Sequence, residues 1–308
     1  MFVPELARVW RPGWPVDLHA TLSPLRHGRG DPAYRVDAHG AVWRTCRTPD
    51  GVGTIRLAID RAAAAVVATA WGSGARWLIE SLPLLLGEDD DPAGFVPRHE
   101  VVRESARRHP GWRVPRTGLV MESLVPAILE QKVTGAESWR SWRELLWRFG
   151  ERAPGPVWMP RGMRVVPAPK GWCQIPSWEW HRAGMDGGRV RAIRAAAAVA
   201  ARLEETVQFG MAEAERRLRA IPGVGVWTAA EVRQRAHGDP DAVSVGDYHL
   251  AGMVGWALLG RTVDDAEMLE LLAPYAGHRY RAIRMIELAG TGPPRRGPRF
   301  APRDYRRL

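Results

Sequence analysis

The chain has 308 residues, of which 45% are hydrophobic, a proportion that is ordinary for a globular protein. This length is sufficient for two domains, or for one large domain with an appendage. The 44 Lys and Arg residues outnumber the 34 Asp and Glu residues, so the formal net charge is +10. Such an excess favours a polyanionic partner, which can be DNA, RNA or an acidic membrane surface.

The cysteine count and the apolar runs exclude several classes of protein. The two cysteines, Cys46 and Cys173, lie far apart in the sequence. They cannot form a disulfide scaffold, a Cys-rich zinc site or a four-Cys iron–sulfur cluster. The first residues show no secretory signal pattern, and no apolar run reaches the roughly 18 residues of a membrane helix. We therefore expect a cytoplasmic protein, associated with the nucleoid if DNA is its partner.

Residues 1–90 have the pattern of a small α+β domain. Short apolar or alternating runs separated by Gly-, Pro- and Asp-rich turns indicate strands, followed by a helix over 74–86. The predicted strands are 17–22, 33–37, 41–46, 54–59 and 64–71. An acidic linker over 87–94 marks the boundary to the next domain.

Residues 95–290 are predicted to form an all-α domain. Thr134 stands three residues before Glu137, the spacing of a capping box that starts a helix over 136–149. The apolar stripe of this helix, predicted to be core, comprises Trp139, Trp142, Leu145, Leu146 and Phe149. Further helices are predicted over 119–132, 189–203, 211–220, 226–234, 248–259, 264–272 and 280–288. Residues 291–308 are rich in Pro and Arg, and we expect a disordered tail that adds electrostatic affinity for nucleic acid.

A glycine-containing turn joins the helices predicted over 211–220 and 226–234. Gly223 and Gly225 allow a tight reversal, which exposes main-chain N–H groups at the start of the second helix. These groups and the helix dipole form a site for phosphate, which would hold nucleic acid without reading its sequence. A plain turn would have the same pattern. The candidate DNA-binding residues are Pro222, Gly223, Val224, Gly225 and Thr228.

Asp247 follows this hairpin and directly precedes the helix predicted over 248–259. An ordinary N-cap would explain an Asp at that position. However, the order of I-P-G-V-G-x-W-T-A, then G-D-P-D, then a lone Asp opening a helix resembles the helix-hairpin-helix superfamily of DNA base-excision glycosylases. The resemblance covers roughly 110–290 and is strongest to the bacterial alkylpurine branch, the 3-methyladenine glycosylases of type II.

The resemblance implies a fold, a partner and a catalytic residue. The alkylpurine branch carries an N-terminal α/β domain before the helical one, acts on double-stranded DNA that contains damaged bases, and is monomeric. Its invariant catalytic Asp corresponds to Asp247. Breaking an N-glycosidic bond develops positive charge on the deoxyribose, so a fixed carboxylate would stabilise the transition state.

Trp227 and Glu231 bear on the reaction and the substrate. Lyase-competent members of the superfamily have a Lys where this chain has Trp227, so we expect hydrolysis without a Schiff base. The resemblance places Trp227 beside the flipped base, although a core Trp is the alternative. Glu231 stands where the best-studied branch has an aromatic residue, and Ile286 replaces a later pocket aromatic. The pocket is therefore expected to be a polar cleft.

Two further features come from the resemblance. Gln131 and Lys132 match the loop that fills the space left by the flipped nucleotide, where relatives often place an apolar wedge. Lys132 can instead contact phosphate or be merely exposed. The main-chain carbonyls of Arg219, Ile221 and Val224 would hold a monovalent cation that bridges to DNA phosphate. No other cofactor is expected.

These observations predict a monofunctional DNA glycosylase of base-excision repair that flips out a damaged base, such as the alkylated purine 3-methyladenine. Two alternatives stay open. A catalytically silent binding module would use the hairpin only to grip DNA. A glycosylase for a neutral base such as hypoxanthine would need an acid, for which Glu231 is the candidate. A lyase of the oxidised-base branch is disfavoured by Trp227.

Overall fold

The computed structural model of this chain describes residues 5–294, and most of the tail predicted at 291–308 lies outside these residues. The N-terminal part forms a five-stranded antiparallel sheet in the order β1-β5-β4-β3-β2. Alternate side chains such as Ile55 and Leu57 are fully buried on one face, as their period of two predicted. The strands are β1 (Glu5–Trp10), β2 (Tyr34–Val36), β3 (Val42–Thr48), β4 (Gly51–Asp60) and β5 (Ala65–Gly72).

Four of the five predicted strands are confirmed, and the prediction for 17–22 is wrong. That segment is helix α1 (Leu18–Leu22), which is capped by the Asp17 side chain because its carboxylate accepts a hydrogen bond from the Ala20 N–H at 2.9 Å. The first strand, β1, was not predicted. It pairs with β5 at the sheet edge, a long-range contact that has no local signal.

Helices α1, α2 (Ala75–Glu80) and α3 (Leu82–Leu85) cover one face of the sheet. The chain then becomes helical, apart from the two-residue strands β6 (Glu151–Arg152) and β7 (Arg164–Val165). The fold is α+β, as predicted. The remaining helices are α4 (Glu100–Arg108), α5 (Val120–Leu129), α6 (Gly135–Phe149), α7 (Pro169–Gln174), α8 (Ser177–Arg182), α9 (Gly187–Ala198), α10 (Ala200–Glu204), α11 (Met211–Arg219), α12 (Val226–Val232), α13 (Leu250–Leu259), α14 (Asp265–Leu272) and α15 (Arg279–Ala289).

Helix α6 begins with the predicted capping box. The Thr134 side chain accepts from the Glu137 N–H, and the Glu137 side chain accepts from the Thr134 N–H. The predicted core stripe holds only in part. Trp142 is buried, whereas Trp139 is 38% exposed because its ring lies over the backbone of Gly28 at the protein surface.

Two hydrophobic cores divide the helical part into two lobes. The first lobe is built by residues of α5, α6, α9 and α12, and the second by residues of α4, α13, α14 and α15. The segment from α12 to α13 passes from the first lobe to the second. None of the helices within residues 5–294 is long and apolar enough to cross a membrane.

Asp31 joins the sheet to the first helical lobe. Its fully buried carboxylate accepts hydrogen bonds from the Trp142 indole at 2.8 Å and from the N–H groups of His27 and Ala33 at 2.7 and 2.9 Å. A buried carboxylate is tolerated only with such a set of donors.

We expect Asp31→Ala to lower the free energy of unfolding by about 3 kcal/mol, because it leaves the buried Trp142 indole and two partly buried N–H groups without an acceptor. Urea denaturation followed by tryptophan fluorescence measures the change. Asp50→Ala, at an exposed position, is the matched control and should have little effect. Equal stability of the two variants would show that Asp31 does not anchor the junction.

Candidate functional site

The hairpin between α11 and α12 has the tight geometry that its glycines predicted. Gly223 adopts φ +88°, and a Cβ added there would lie 2.8 Å from the Cβ of Ala192, so both the conformation and the space require glycine. Val224 is buried and anchors the turn, and its N–H donates to the Ile221 carbonyl at 3.0 Å. Pro222, Gly223 and Gly225 are exposed. The outer edge of the hairpin is therefore main chain open to a partner.

The first turn of α12 presents main-chain N–H groups at this edge. Gly225 is its N-cap residue, and within the described chain no side chain caps the turn. A Cβ added at Gly225 would meet open space. The first N–H groups of a helix have no intrahelical acceptor, so they are free to bind an anion.

Gln131 ties the turn after α5 to the hairpin. Its Nε2 donates to the Gly223 carbonyl at 2.9 Å and to the Thr228 hydroxyl at 2.8 Å. Thr228 is buried, so its hydroxyl serves this contact and does not face a partner. Lys132, the next residue, is exposed and adopts φ +56°. A left-handed conformation is costly for a residue with a side chain, so the tethered turn imposes it.

Asp247 is held by three hydrogen-bond donors from two helices. Its Oδ1 accepts from the N–H groups of His249 and Leu250, at 2.8 and 2.9 Å, and so fixes the turn that leads into α13. Its Oδ2 accepts from the indole Nε1 of Trp227 in α12, at 3.0 Å. The helix starts at Leu250 and its N-cap residue is His249, so Asp247 is not the ordinary N-cap that the sequence allowed.

Asp247 also lines a cavity of about 120 Å³ between the two lobes. Glu231, Gln234 and Ser244 form the polar end of this cavity, where Gln234 and Ser244 are buried and Glu231 is partly buried. Its apolar wall includes Met253, Tyr280 and Ile283. Burial raises the pKa of Tyr280 to about 12, so its hydroxyl keeps its proton at neutral pH.

Glu231 is engaged by two donors at the buried end of the cavity. Its carboxylate lies 2.7 Å from the guanidinium of Arg235 and accepts the hydroxyl hydrogen of Ser244. Burial raises the pKa of Glu231, while Arg235 and Ser244 oppose that shift. Arg235 was missed from the sequence, although its spacing of four residues from Glu231 is that of a helical ion pair.

Of the four predicted pocket residues, Glu231 lines the cavity, whereas Trp227, Gln131 and Ile286 are not among its lining residues. Ile286 is fully buried in the core of the second lobe. Ile283, one turn earlier on α15, lines the cavity instead. Gln234, Ser244, Met253 and Tyr280 also line it and were not predicted, since a buried polar or apolar side chain carries no sequence signal of its own.

The hairpin carbonyls of Arg219, Ile221 and Val224 stay a predicted cation site. Main-chain oxygens are hard ligands that suit such an ion, and α11 ends where carbonyls lack helical partners. The Ile221 carbonyl already accepts the Val224 N–H and keeps one lone pair for a cation. Among residues 5–294, no group of three or more His, Cys, Asp or Glu side chains could hold a metal ion.

The two hairpin glycines should respond differently to substitution. We expect Gly223→Ala to lower the free energy of unfolding by at least about 1 kcal/mol, because alanine is strained at φ +88° and clashes with Ala192. Gly225→Ala should be neutral to folding, since its φ of −94° suits alanine and the space is open. Thermal unfolding of both variants measures the difference. Equal melting temperatures would contradict the hairpin geometry.

Comparisons with known proteins find similarity in structure only. No family model matches the sequence, and no curated protein matches it. A 3-methyladenine DNA-glycosylase from Archaeoglobus fulgidus superposes with a TM-score of 0.73 at 15% identity, over 92% of this chain and 98% of that one. The 8-oxoguanine glycosylase/lyase of Clostridium acetobutylicum, in complex with double-stranded DNA, superposes with a TM-score of 0.69 at 10% identity, over 94% of this chain and 97% of that one.

A third structure, MBOgg1 in complex with a low-affinity DNA ligand, superposes with a TM-score of 0.69 at 15% identity, over 94% of this chain and 98% of that one. Coverage this high includes the N-terminal sheet as well as both helical lobes. The sheet therefore does not distinguish the 3-methyladenine glycosylase from the 8-oxoguanine enzyme. The resemblance drawn from the hairpin and Asp247 is confirmed in the fold: the chain has the α+β fold of the helix-hairpin-helix DNA glycosylases.

Proposed function

We propose that this chain is a DNA glycosylase of base-excision repair, which binds double-stranded DNA as a monomer and hydrolyses the N-glycosidic bond of a damaged base. The observation that carries the proposal is the Asp247 carboxylate. It lines a cavity between the lobes, is fixed by three donors, and lies beside a hairpin whose outer edge is open main chain.

The reaction needs a fixed negative charge beside the sugar. As the bond to the base breaks, positive charge develops on the deoxyribose, and the Asp247 carboxylate would stabilise it. A pair of unit charges 4 Å apart interacts by about 4 kcal/mol at an effective dielectric of 20. Trp227 acts as a positioning residue, because its indole N–H holds one oxygen of Asp247 in place.

The groups at and around the hairpin would bind DNA. The N–H groups at the start of α12 would bind a backbone phosphate, and the net charge of +10 adds affinity that does not depend on sequence. Extruding a base costs a few kcal/mol and leaves a gap in the stack. Lys132 is exposed in a turn that Gln131 fixes to the hairpin, and we assign it to that gap or to a flanking phosphate.

An alkylated purine is the substrate that this site suits. A cationic N-alkylpurine such as 3-methyladenine is already a good leaving group, so a carboxylate and a pocket suffice. A neutral base such as hypoxanthine would need a proton donor, and Glu231 is the candidate. Burial raises the pKa of Glu231, but Arg235 and Ser244 both donate to its carboxylate, and these contacts argue against that role.

We further propose that the enzyme has no lyase activity. A lyase of this fold would need an amine near the sugar, whereas Trp227 occupies the position beside Asp247. The sequence contains two lysines, Lys132 and Lys170. Borohydride trapping of the wild-type protein with abasic DNA tests this point, and a covalent adduct would contradict the proposal.

Asp247→Asn should slow base release and spare folding, because asparagine keeps an oxygen for the N–H groups of His249 and Leu250 but loses the charge and the acceptor for Trp227. We expect a single-turnover rate on methylated duplex DNA about 1,000-fold lower, the equivalent of about 4 kcal/mol. DNA affinity should be retained. Asp264→Asn is the control, since the Asp264 carboxylate also accepts a main-chain N–H at a helix start, that of Glu267 in α14, outside the cavity.

Two other outcomes of this experiment would contradict a catalytic role for Asp247. Equal release by the wild type and Asp247→Asn would show that another group stabilises the transition state. Binding without release by either protein would favour the silent DNA-binding module.

Trp227→Phe keeps an aromatic ring and removes the indole donor to Asp247. We expect the single-turnover rate of base release to fall about 10-fold with unchanged DNA affinity, as for the loss of one hydrogen bond to a charged group. Trp178→Phe, at an exposed Trp of α8, is the control. An unchanged rate would mean that the Trp227 contact does not position Asp247.

A further inference from the structure

The buried end of the cavity is a hydrogen-bonded set whose proton positions can be assigned. We call Glu231, Gln234 and Ser244 the acceptor floor. The Nε2 of Gln234 lies 3.0 Å from the Ala242 carbonyl and 2.9 Å from the Ser244 hydroxyl. A carbonyl can only accept, so the Gln234 amide must face it with its NH₂ group. Both amide hydrogens are thereby used, and the Gln234 oxygen is left as an acceptor.

Ser244 donates the next hydrogen bond, to Glu231. Its hydroxyl has one hydrogen, accepts from Gln234, and therefore donates to Glu231. The other carboxylate oxygen of Glu231 accepts from Arg235 at 2.7 Å. Arg235 is itself fixed, because it donates to the Pro24 carbonyl at 2.9 Å and to the Glu231 carbonyl at 2.8 Å. Every hydrogen of the acceptor floor is thus committed within the protein.

The remaining hydrogen-bonding capacity of these three side chains consists of lone pairs. Because Arg235 balances the charge of Glu231, the floor does not act as a bare anion that would attract any cation. The floor instead favours ligands that offer it hydrogen-bond donors. A ligand that meets the floor with N–H groups satisfies these acceptors, whereas one that meets it with lone pairs leaves them buried and unpaired, at about 1–3 kcal/mol each.

The glycosidic bond of an extruded purine would lie near Asp247, so the edge of the base farthest from the sugar would meet the floor. That edge is the base-pairing edge. On the basis of the glycosylase function proposed above, we propose that the acceptor floor selects purine lesions whose base-pairing edge retains an N–H donor. The class includes 3-methyladenine, with its exocyclic amino group, and excludes 1,N6-ethenoadenine, in which the added ring masks the donors.

A cationic base leaves faster than a neutral one whatever the floor does, so the test compares binding of the free bases. Free 3-methyladenine and free 1,N6-ethenoadenine are each added as inhibitors of base release from methylated duplex DNA. Sites that hydrogen-bond a substrate group reject analogues without it by large factors. We expect 3-methyladenine to inhibit at a concentration at least 100-fold lower. Equal inhibition by the two bases would overturn the acceptor floor alone. Absence of base release from the methylated duplex would contradict the glycosylase proposal itself.

A pair of variants distinguishes selection by hydrogen bonding from exclusion of 1,N6-ethenoadenine by its size. Glu231→Gln places an NH₂ donor in the floor and should narrow the preference to less than about 10-fold, whereas Glu270→Gln, at an exposed position of α14, should leave it unchanged. A preference that persists in a folded Glu231→Gln protein would mean that bulk excludes ethenoadenine, and it would overturn the proposal.

Ser244→Ala keeps the test decisive if Glu231→Gln fails to fold. It frees the Gln234 amide hydrogen that the Ser244 hydroxyl accepts, so it too places a donor in the floor. The preference for 3-methyladenine should therefore narrow, as in Glu231→Gln. A preference that persists unchanged in a folded Ser244→Ala protein would also overturn the proposal.

Discussion

The hydrogen bond between the Trp227 indole and the Asp247 carboxylate joins the two helical lobes at the point where the site lies. Trp227 belongs to α12 of the first lobe, and Asp247 lies in the turn that leads into α13 of the second. The main-chain N–H groups of His249 and Leu250 hold the other oxygen, so the carboxylate position depends on both lobes being correctly packed. The cavity, the hairpin and the tethered turn after α5 are all arranged around this contact.

The sequence predicted those features that rest on local chemistry. The capping box of α6, the strand alternation at Ile55 and Leu57, and the glycine turn at Gly223 each follow from neighbouring residues. In each of these cases the physical cause lies within a few residues of the feature, so the sequence alone was sufficient. Asp247 was singled out by family resemblance, and its catalytic role stays a proposal.

The features that escaped prediction depend on tertiary contacts. β1 is a strand because β5 lies beside it, and Trp139 is exposed because its turn of α6 faces the surface. The segment that became α1 reads as a strand until Asp17 is recognised as a cap. Likewise, the roles of Gln234 and Ser244 follow from their meeting across a loop.

The short segment Arg233–His237 continues α12 as a π-helical turn and ends at Gly238, which adopts φ +72°. π-Turns are rare and recur at functional sites. An α-helix rotates by about 100° per residue, so the wider turn sets the direction of every side chain that follows it. Gln234 and Arg235 lie in this turn, next to Glu231. Loss of a single residue from the turn would redirect the side chains that follow it, including Ala236 of the first hydrophobic core, so the length of this turn matters as much as its residue identities.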